Sequence, residues 1–346
     1  MTAVDTVLDE ALDRFASTGP EFSGGLSNHG PMAVEALVAL GRADAVAGWS
    51  EWYAQRLTKH PQARNAIAPD EWREALGDIA RAGDWVAFFD RALAEQPWTD
   101  VLEAWVARLA PGIIAGATHG VLRTAHAVRS LDRGENAHRL HELAEALGYW
   151  AARYQTLPGT WRGSGALAPS AAVATVPRVD PERGRPGLIF EAVKAVDPER
   201  FAPVLGQVDV TGDAGAFVSD LTRTFVRHYL ANAERASIAF VHSVTAPSAL
   251  RILAPHLSDG TRQAAMAYAW QACASLYATY GRVDARDVPG SFEPATVDLE
   301  DLADRAVAAR DEHAIKFTEA CLREYRLSSD GAFIVAASDV VDRMRR

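Results

Sequence analysis

Between Leu302 and Ala320 the apolar residues recur at helical spacing, and the stripe they form contains an imidazole and an ammonium. At about 100° per residue, His313 falls between Leu302, Ala306, Phe317 and Ala320, and Lys316 lies at the edge of the same face. A helix that buries this face takes both groups inside with it. Either group is costly to bury without a partner. The surrounding fold therefore has to enclose a metal, a cofactor or a polar network.

The rest of the chain follows the same period. Helical spacing and enrichment in Ala, Leu, Glu and Arg run almost throughout, and nothing resembles a series of alternating strands, so the chain reads as all-α. Helices are expected at about 4–17, 31–58, 69–81, 83–95, 98–109, 112–131, 135–156, 187–196, 213–233, 235–253, 260–282, 298–326 and 329–344. Gly30-Pro31 is a sharp helix start with His29 just outside it. The expectation is one large multi-helical domain over 1–346, packed around a central buried polar or metal pocket. The longest irregular stretch is 157–186, rich in Gly, Pro and Ser. It reads as a linker between helical halves or as an ordered loop over a pocket, and Trp161, Val173 and Val176 favour the loop because they give it something to bury.

A chain of 346 residues that is 49% hydrophobic can bury a sizeable core. Its net charge of -10 and pI near 5.5 argue against nucleic acid or an anionic membrane as partner, since both reward a basic patch. A small neutral or aromatic ligand fits better. No uninterrupted apolar run approaches about 18 residues. Thr2 to Phe15 is acidic and amphipathic, without the basic start of a signal peptide, so the cytoplasm is the expected compartment. Cys273 and Cys321 give neither a disulfide framework nor a thiolate zinc site, and both read as buried fillers.

Histidine is then the plentiful metal-ligand type. His242 projects with Ile238, Thr245, Ala249 and Leu253, on a helix that Pro247 is expected to kink. His119 and His126 are seven apart, hence within about 20° of each other on a helix. They lie on the side of Gly112, Gly116 and Arg123, opposite Ile113, Ala117, Val121 and Val128. Glycines there permit close approach of a backbone or a ligand; an ordinary wet face is the alternative. Taken singly, His29, His242 and His313 each read as a hydrogen-bonded core or capping histidine, whereas several together point to a site. His60, His138, His141, His228 and His256 read as surface or structural residues. Several chemistries are excluded by spacing. There is no His-Glu-x-x-His, Cys-x-x-Cys or Gly-x-Ser-x-Gly. Glu135 to His138 is a single Glu-x-x-His where a ferritin-like site needs two. No Gly-x-Gly-x-x-Gly follows a strand, so NADPH would need a non-Rossmann site or a partner reductase.

Set in order, Ser27-Asn28-His29-Gly30-Pro31-Met32, Thr118-His119-Gly120-Val121, Val241-His242-Ser243-Val244-Thr245-Ala246 and Asp311-Glu312-His313-Ala314-Ile315-Lys316 resemble the questin oxidase-like family. The resemblance extends to Trp49–Leu57 and Glu142–Tyr154, and so spans essentially the whole chain. It implies an all-α oxygenase that opens quinone or anthraquinone rings by Baeyer-Villiger-type or dioxygenase-like oxidation. It also implies non-haem Fe(II) held by four histidines and a lysine carrying CO2 as a carbamate, with O2 as co-substrate. Carried over by residue, these are His29, His119, His242, His313 and Lys316. The chain departs from the fungal pattern at Met32, Val34 and Glu35, where further histidines are usual, at Arg123, near a common histidine position, and at His126, where an aromatic residue is usual. Those departures bear on the substrate.

The donor types agree with that reading. Imidazole nitrogen suits iron, zinc, copper and nickel, and lysine becomes a ligand only when deprotonated or converted to a carbamate. Asn28, Arg123 and His126 are candidates to support the metal or orient the substrate. His126 and Arg123 are also the catalytic candidates, His126 as a general base toward a phenol. Trp150 and Tyr154, with Trp161, Trp270 and Tyr277, are candidates for a stacking pocket. The leading expectation is an iron oxygenase acting on an aromatic polyketide or quinone-like ring. A metal-free NADPH-dependent Baeyer-Villiger oxidase, a zinc-dependent hydrolase and a non-catalytic helical binding protein stay open as alternatives, as does a homodimer.

Overall fold

The computed structural model describes residues 2–180, 187–292 and 297–345. Helix α1 (Ala3–Ala16) starts at a capping box in which Thr2 and Asp5 satisfy each other's backbone N–H. A short antiparallel hairpin follows, β1 (Glu21–Phe22) paired with β2 (Leu26–Ser27), turned through Gly24 and Gly25 at positive φ. It leads into α2 (Gly30–Ala39), α3 (Val46–Ala54), α4 (Ala82–Glu95), α5 (Trp98–Leu109), α6 (His119–Asp132) and α7 (Ala137–Ala152). Three one-turn helices come next: α8 (Pro169–Ala172), α9 (Ile189–Ala192) and α10 (Pro198–Phe201). The remaining helices are α11 (Ala214–Leu253), α12 (Asp259–Tyr280), α13 (Leu299–Ala308), α14 (Glu312–Ser328) and α15 (Gly331–Met344). The all-α expectation holds, and one continuous apolar core runs from Leu8 to Val341.

Several expected helices are divided, each by an identifiable residue. The span 31–58 breaks after α2 at Gly41, whose φ is +76°. The span 69–81 becomes two 3-10 turns, Trp72–Ala75 and Ile79–Arg81, on either side of Gly77 at φ +76°. The span 112–131 is helical only from His119, because Gly116, Ala117 and Thr118 all take positive φ. The span 298–326 breaks at Arg310 (φ 53°), and Asp311 then caps a new helix by accepting from the N–H groups of His313 and Ala314. His313 therefore reaches the core as the second residue of a fresh helix, not as part of one stripe with Leu302.

Helix α11 shows the opposite pattern. It is distorted at Ala236 (φ -149°, ψ 35°), just inside the second of the two expected helices, and continues through Pro247. Asn232 holds the first half at this point: its Nδ2 donates to His228 O and its Oδ1 accepts from Arg282 N at 2.6 Å. At Pro247 the expected kink is absent from the backbone dihedrals. The carbonyl of Ser243, which loses its helical donor to the proline, accepts instead from Cys273 Sγ at 3.3 Å. The segment Ala214–His256 has the length and hydropathy to cross a membrane, but 72% of its most apolar window is buried inside the molecule, as in a core helix.

Helices α2, α6, α14 and α11 form a closed ring of neighbours, α2 against α6 and α14, and α11 against the same two. The start of α6 is pressed onto α7: a Cβ at Gly120 would lie 2.5 Å from Trp150. Residues 157–180 pack on the helices through buried Leu157, Val173 and Val176, with Val179 N donating to Ala278 O. The stretch 181–186 of the expected loop lies outside the described residues.

Candidate metal centre

Each helix of the ring contributes one histidine. His29 is the N-cap residue of α2, His119 the first residue of α6, His313 the second of α14, and His242 projects from α11. The rings of His29 and His119 lie 4.5 Å apart between centroids, those of His29 and His313 4.7 Å, and those of His119 and His242 4.6 Å. One ring nitrogen from each of His29, His119 and His313 lies within 4.8 Å of the other two. His242 stands beside this set, its Nδ1 3.4 Å from Thr118 Oγ1 and its ring 6.0 Å from that of His313.

Local structure sets how these rings point. Asn28 is braced by Thr18 Oγ1 and Gly19 O, and its own Oδ1 accepts from Gly30 N at 2.9 Å, which fixes the turn carrying His29. Tyr53 Oη accepts from His29 N. Gly30 is required because a Cβ would lie 2.5 Å from the Phe15 ring. On α6 the left-handed run before the helix brings the Gly116 carbonyl to 2.5 Å from His119 Nδ1. The carbonyl can only accept, so Nδ1 carries the proton and Nε2 faces the centre as a lone pair. That lone pair meets His29 Nε2 at 2.5 Å.

The residues present fit a transition metal. His29, His119 and His242 all have pKa values held well below that of free histidine, first by burial and then by neighbouring positive charges, Lys316 among them. They are neutral at pH 7, as metal ligation requires. The lone pair of His119 Nε2 faces His29 Nε2 in a buried site, where either a shared proton or a metal ion can satisfy it. His29 Nδ1 has no hydrogen-bond partner among the described residues, and Glu312 Oε1 is 3.4 Å from it. Three of the four histidines stand at helix amino termini, where the backbone dipoles favour negative charge. Lys316, one turn into α14, is buried and makes no hydrogen bond or ion pair among the described residues, and burial lowers its pKa to about 8.

The histidines open onto a cavity of about 480 Å³, within the range of small-molecule sites. Its wall is apolar at Leu188, Phe190 and Ile238 and polar at Arg235 and Tyr280, and it includes the break at Ala236. Glu312 and the cavity wall are what the sequence reading missed. Glu312 stood in the quoted motif without a role, and its only signal was its place at the first turn of the capped helix.

Other sequence candidates lie off this wall. Arg123 is buried in a bidentate pair with Glu142, at 2.6 and 2.8 Å, so its guanidinium is not free for substrate. His126 is buried, which excludes the wet face, but its Nδ1 is held at 2.6 Å by Glu35 Oε2. Glu35 also binds Arg129, which reaches Glu319. His126 thus sits behind the centre, sharing with His242 and Lys316 a gap of about 10 Å³. Trp150 donates to Gly112 O from within the core, and Tyr154 covers Gly112, where a Cβ would lie 2.5 Å from its ring. The glycines of this region thus make room for Tyr149, Trp150 and Tyr154, and Gly116 also lines the histidine cavity. Trp270 donates to Val204 O, also in the core. His228 is buried among Phe225, Phe240 and Tyr277, apart from the cavity.

A helical protein with a buried imidazole cluster at the floor of a cavity has the donors to hold a metal ion beside a small-molecule site. The model of the questin oxidase-like family matches residues 26–321 and takes in all four histidines and Lys316; the chain belongs to that family. By family it is an oxidoreductase. No curated protein matches the chain.

Proposed function

We propose that the protein is a non-haem iron oxygenase that oxidises, and in doing so opens, an aromatic polyketide or anthraquinone-like ring. The observation that carries this reading is the nitrogen set of His29, His119 and His313 at the floor of the 480 Å³ cavity. His29, His119 and His313 would hold the metal, with His242 and Lys316 completing the ligand set. Iron(II) held there supplies the electrons that make O2 reactive toward an organic ring.

The chain's own residues do the rest. Gly116 O keeps the His119 proton on Nδ1 and leaves Nε2 available, and the Glu312 carboxylate stands 3.4 Å from His29 Nδ1. With a pKa of about 8, Lys316 is in part a neutral amine at pH 7, the form that takes up CO2 to become a carbamate. The three helix amino termini stabilise that anion, and equally an ionised phenol of the substrate. Leu188, Phe190 and Ile238 exclude water and seat a flat ring. The assay is O2 uptake with a dihydroxyanthraquinone after anaerobic loading with Fe(II). Uptake that needs iron and is lost in His29→Ala supports the reading. Quinone oxidation that survives chelation contradicts it and favours the metal-free NADPH-dependent alternative.

A further inference from the structure

A second cavity, about 530 Å³ in volume, lies between α4, α5 and residues 66–69 and shares no residue with the histidine cavity. Its wall is apolar at Phe88, Trp105, Val101 and Ile67, with the Phe88 and Trp105 rings edge to face at 79°, and two guanidinium groups, Arg91 and Arg108, line it. Arg108 stacks on two indoles, 4.7 Å from the Trp105 centroid and 5.3 Å from that of Trp72, and Arg73 stacks on the same Trp72 at 4.3 Å. A stacked guanidinium keeps its edge N–H donors free.

In a chain with ten more acidic than basic side chains, Arg73, Arg91 and Arg108 form no ion pair among the described residues. Arg91 donates only to Ile67 O, at 3.5 Å. Arg73 and Arg108, both at the surface, share one indole without a counterion, and partial burial together with Arg73's charge lowers the pKa of Arg108. Glu95, the acid on the rim, is exposed and pairs with neither guanidinium. An apolar, aromatic wall beside planar cations that have no ion-pair partner selects an apolar anion with a planar carboxylate.

We infer that this groove is a binding site for a small aromatic carboxylate, its ring seated against Trp105 and Phe88 and its carboxylate taken by Arg108, with Arg91 on the facing wall. The site stands independently of the histidine centre and of the reaction there.

The test is titration of the full protein with 2-naphthoate and with the neutral 2-naphthylmethanol, read by tryptophan fluorescence and by calorimetry. Two variants are compared: Arg108→Met, and Ala104→Trp, which fills the groove from an exposed helical position and so keeps the fold. Naphthoate is expected to bind at least tenfold more tightly than the alcohol, and to weaken at least tenfold in each variant. Equal binding of the two probes overturns the inference, as does unchanged naphthoate affinity in either folded variant. If Arg108→Met does not fold, Ala104→Trp decides.

Discussion

His29 and His119 bring their Nε2 atoms to 2.5 Å, while the other nitrogen of His119 is tied to the Gly116 carbonyl. With its proton on Nδ1, His119 presents the Nε2 lone pair to the centre, where it can accept a hydrogen bond from His29 Nε2 or bind a metal ion. A metal ion in place of that shared proton is what the proposed function requires of this pair.

Replacing His313 removes one of the three gathered nitrogens from the second position of α14 while leaving the Asp311 cap in place. His313→Ala is expected to lose stoichiometric metal with little change in far-UV circular dichroism. Full metal occupancy in the variant would remove His313 from the ligand set.

Lys316→Ala is expected to lower metal occupancy as well, with partial recovery on adding acetate, which replaces a carboxylate-like ligand. Unchanged metal content would eliminate the carbamate and leave an all-histidine centre.

Gly116 takes φ +52°, and a Cβ there would lie 2.8 Å from Tyr149 Oη. Gly116→Ala is expected to cost about 1–3 kcal/mol from backbone strain, measured by urea unfolding. Because the same residue orients His119, metal affinity should fall roughly 10- to 100-fold. A destabilised variant with unaltered metal affinity would show that the carbonyl at 116 does not orient the ligand.

Acid should unfold the metal-free protein early. His228 has its pKa lowered to about 4 by burial and by Arg178, below the unfolded value of about 6.5. The unfolded chain therefore binds the proton first as pH falls from about 6.5 to about 4, and stability is lost across that window, by up to about 1.4 kcal/mol per pH unit for each such histidine. His29, His119 and His242 add to the same slope. His228→Phe should flatten the dependence of the urea midpoint on pH by up to one proton. An unchanged slope would mean that His228 is protonated in the folded state.

The all-α class was legible in the helical period of the apolar residues, and the gathering of His29, His119 and His313 followed from the order of four short motifs and not from any one stripe. Pro31 and the break near Ala236 were legible as punctuation, whereas the cap at Asp311 fell inside an expected helix. The break at Gly41 was not inferred, because a glycine within a helical pattern does not announce its φ; that at Arg310 was not, because an arginine at positive φ has no sequence signal. Pro247 misled in the other direction, since the thiol that compensates it is 26 residues away in sequence. Arg123 and His126 looked available because spacing reports a helix face and not the partner across it. Glu142 and Glu35, which engage them, come from other helices. The cavity wall at Phe190 and Tyr280 is assembled from distant segments and has no local pattern.

The most direct measurement is metal content by inductively coupled plasma mass spectrometry after anaerobic loading with Fe(II) and removal of excess, on the native protein and on His119→Ala. The account predicts about one iron per native chain and none in the variant. Native protein without bound metal, or a variant with full occupancy, would contradict it.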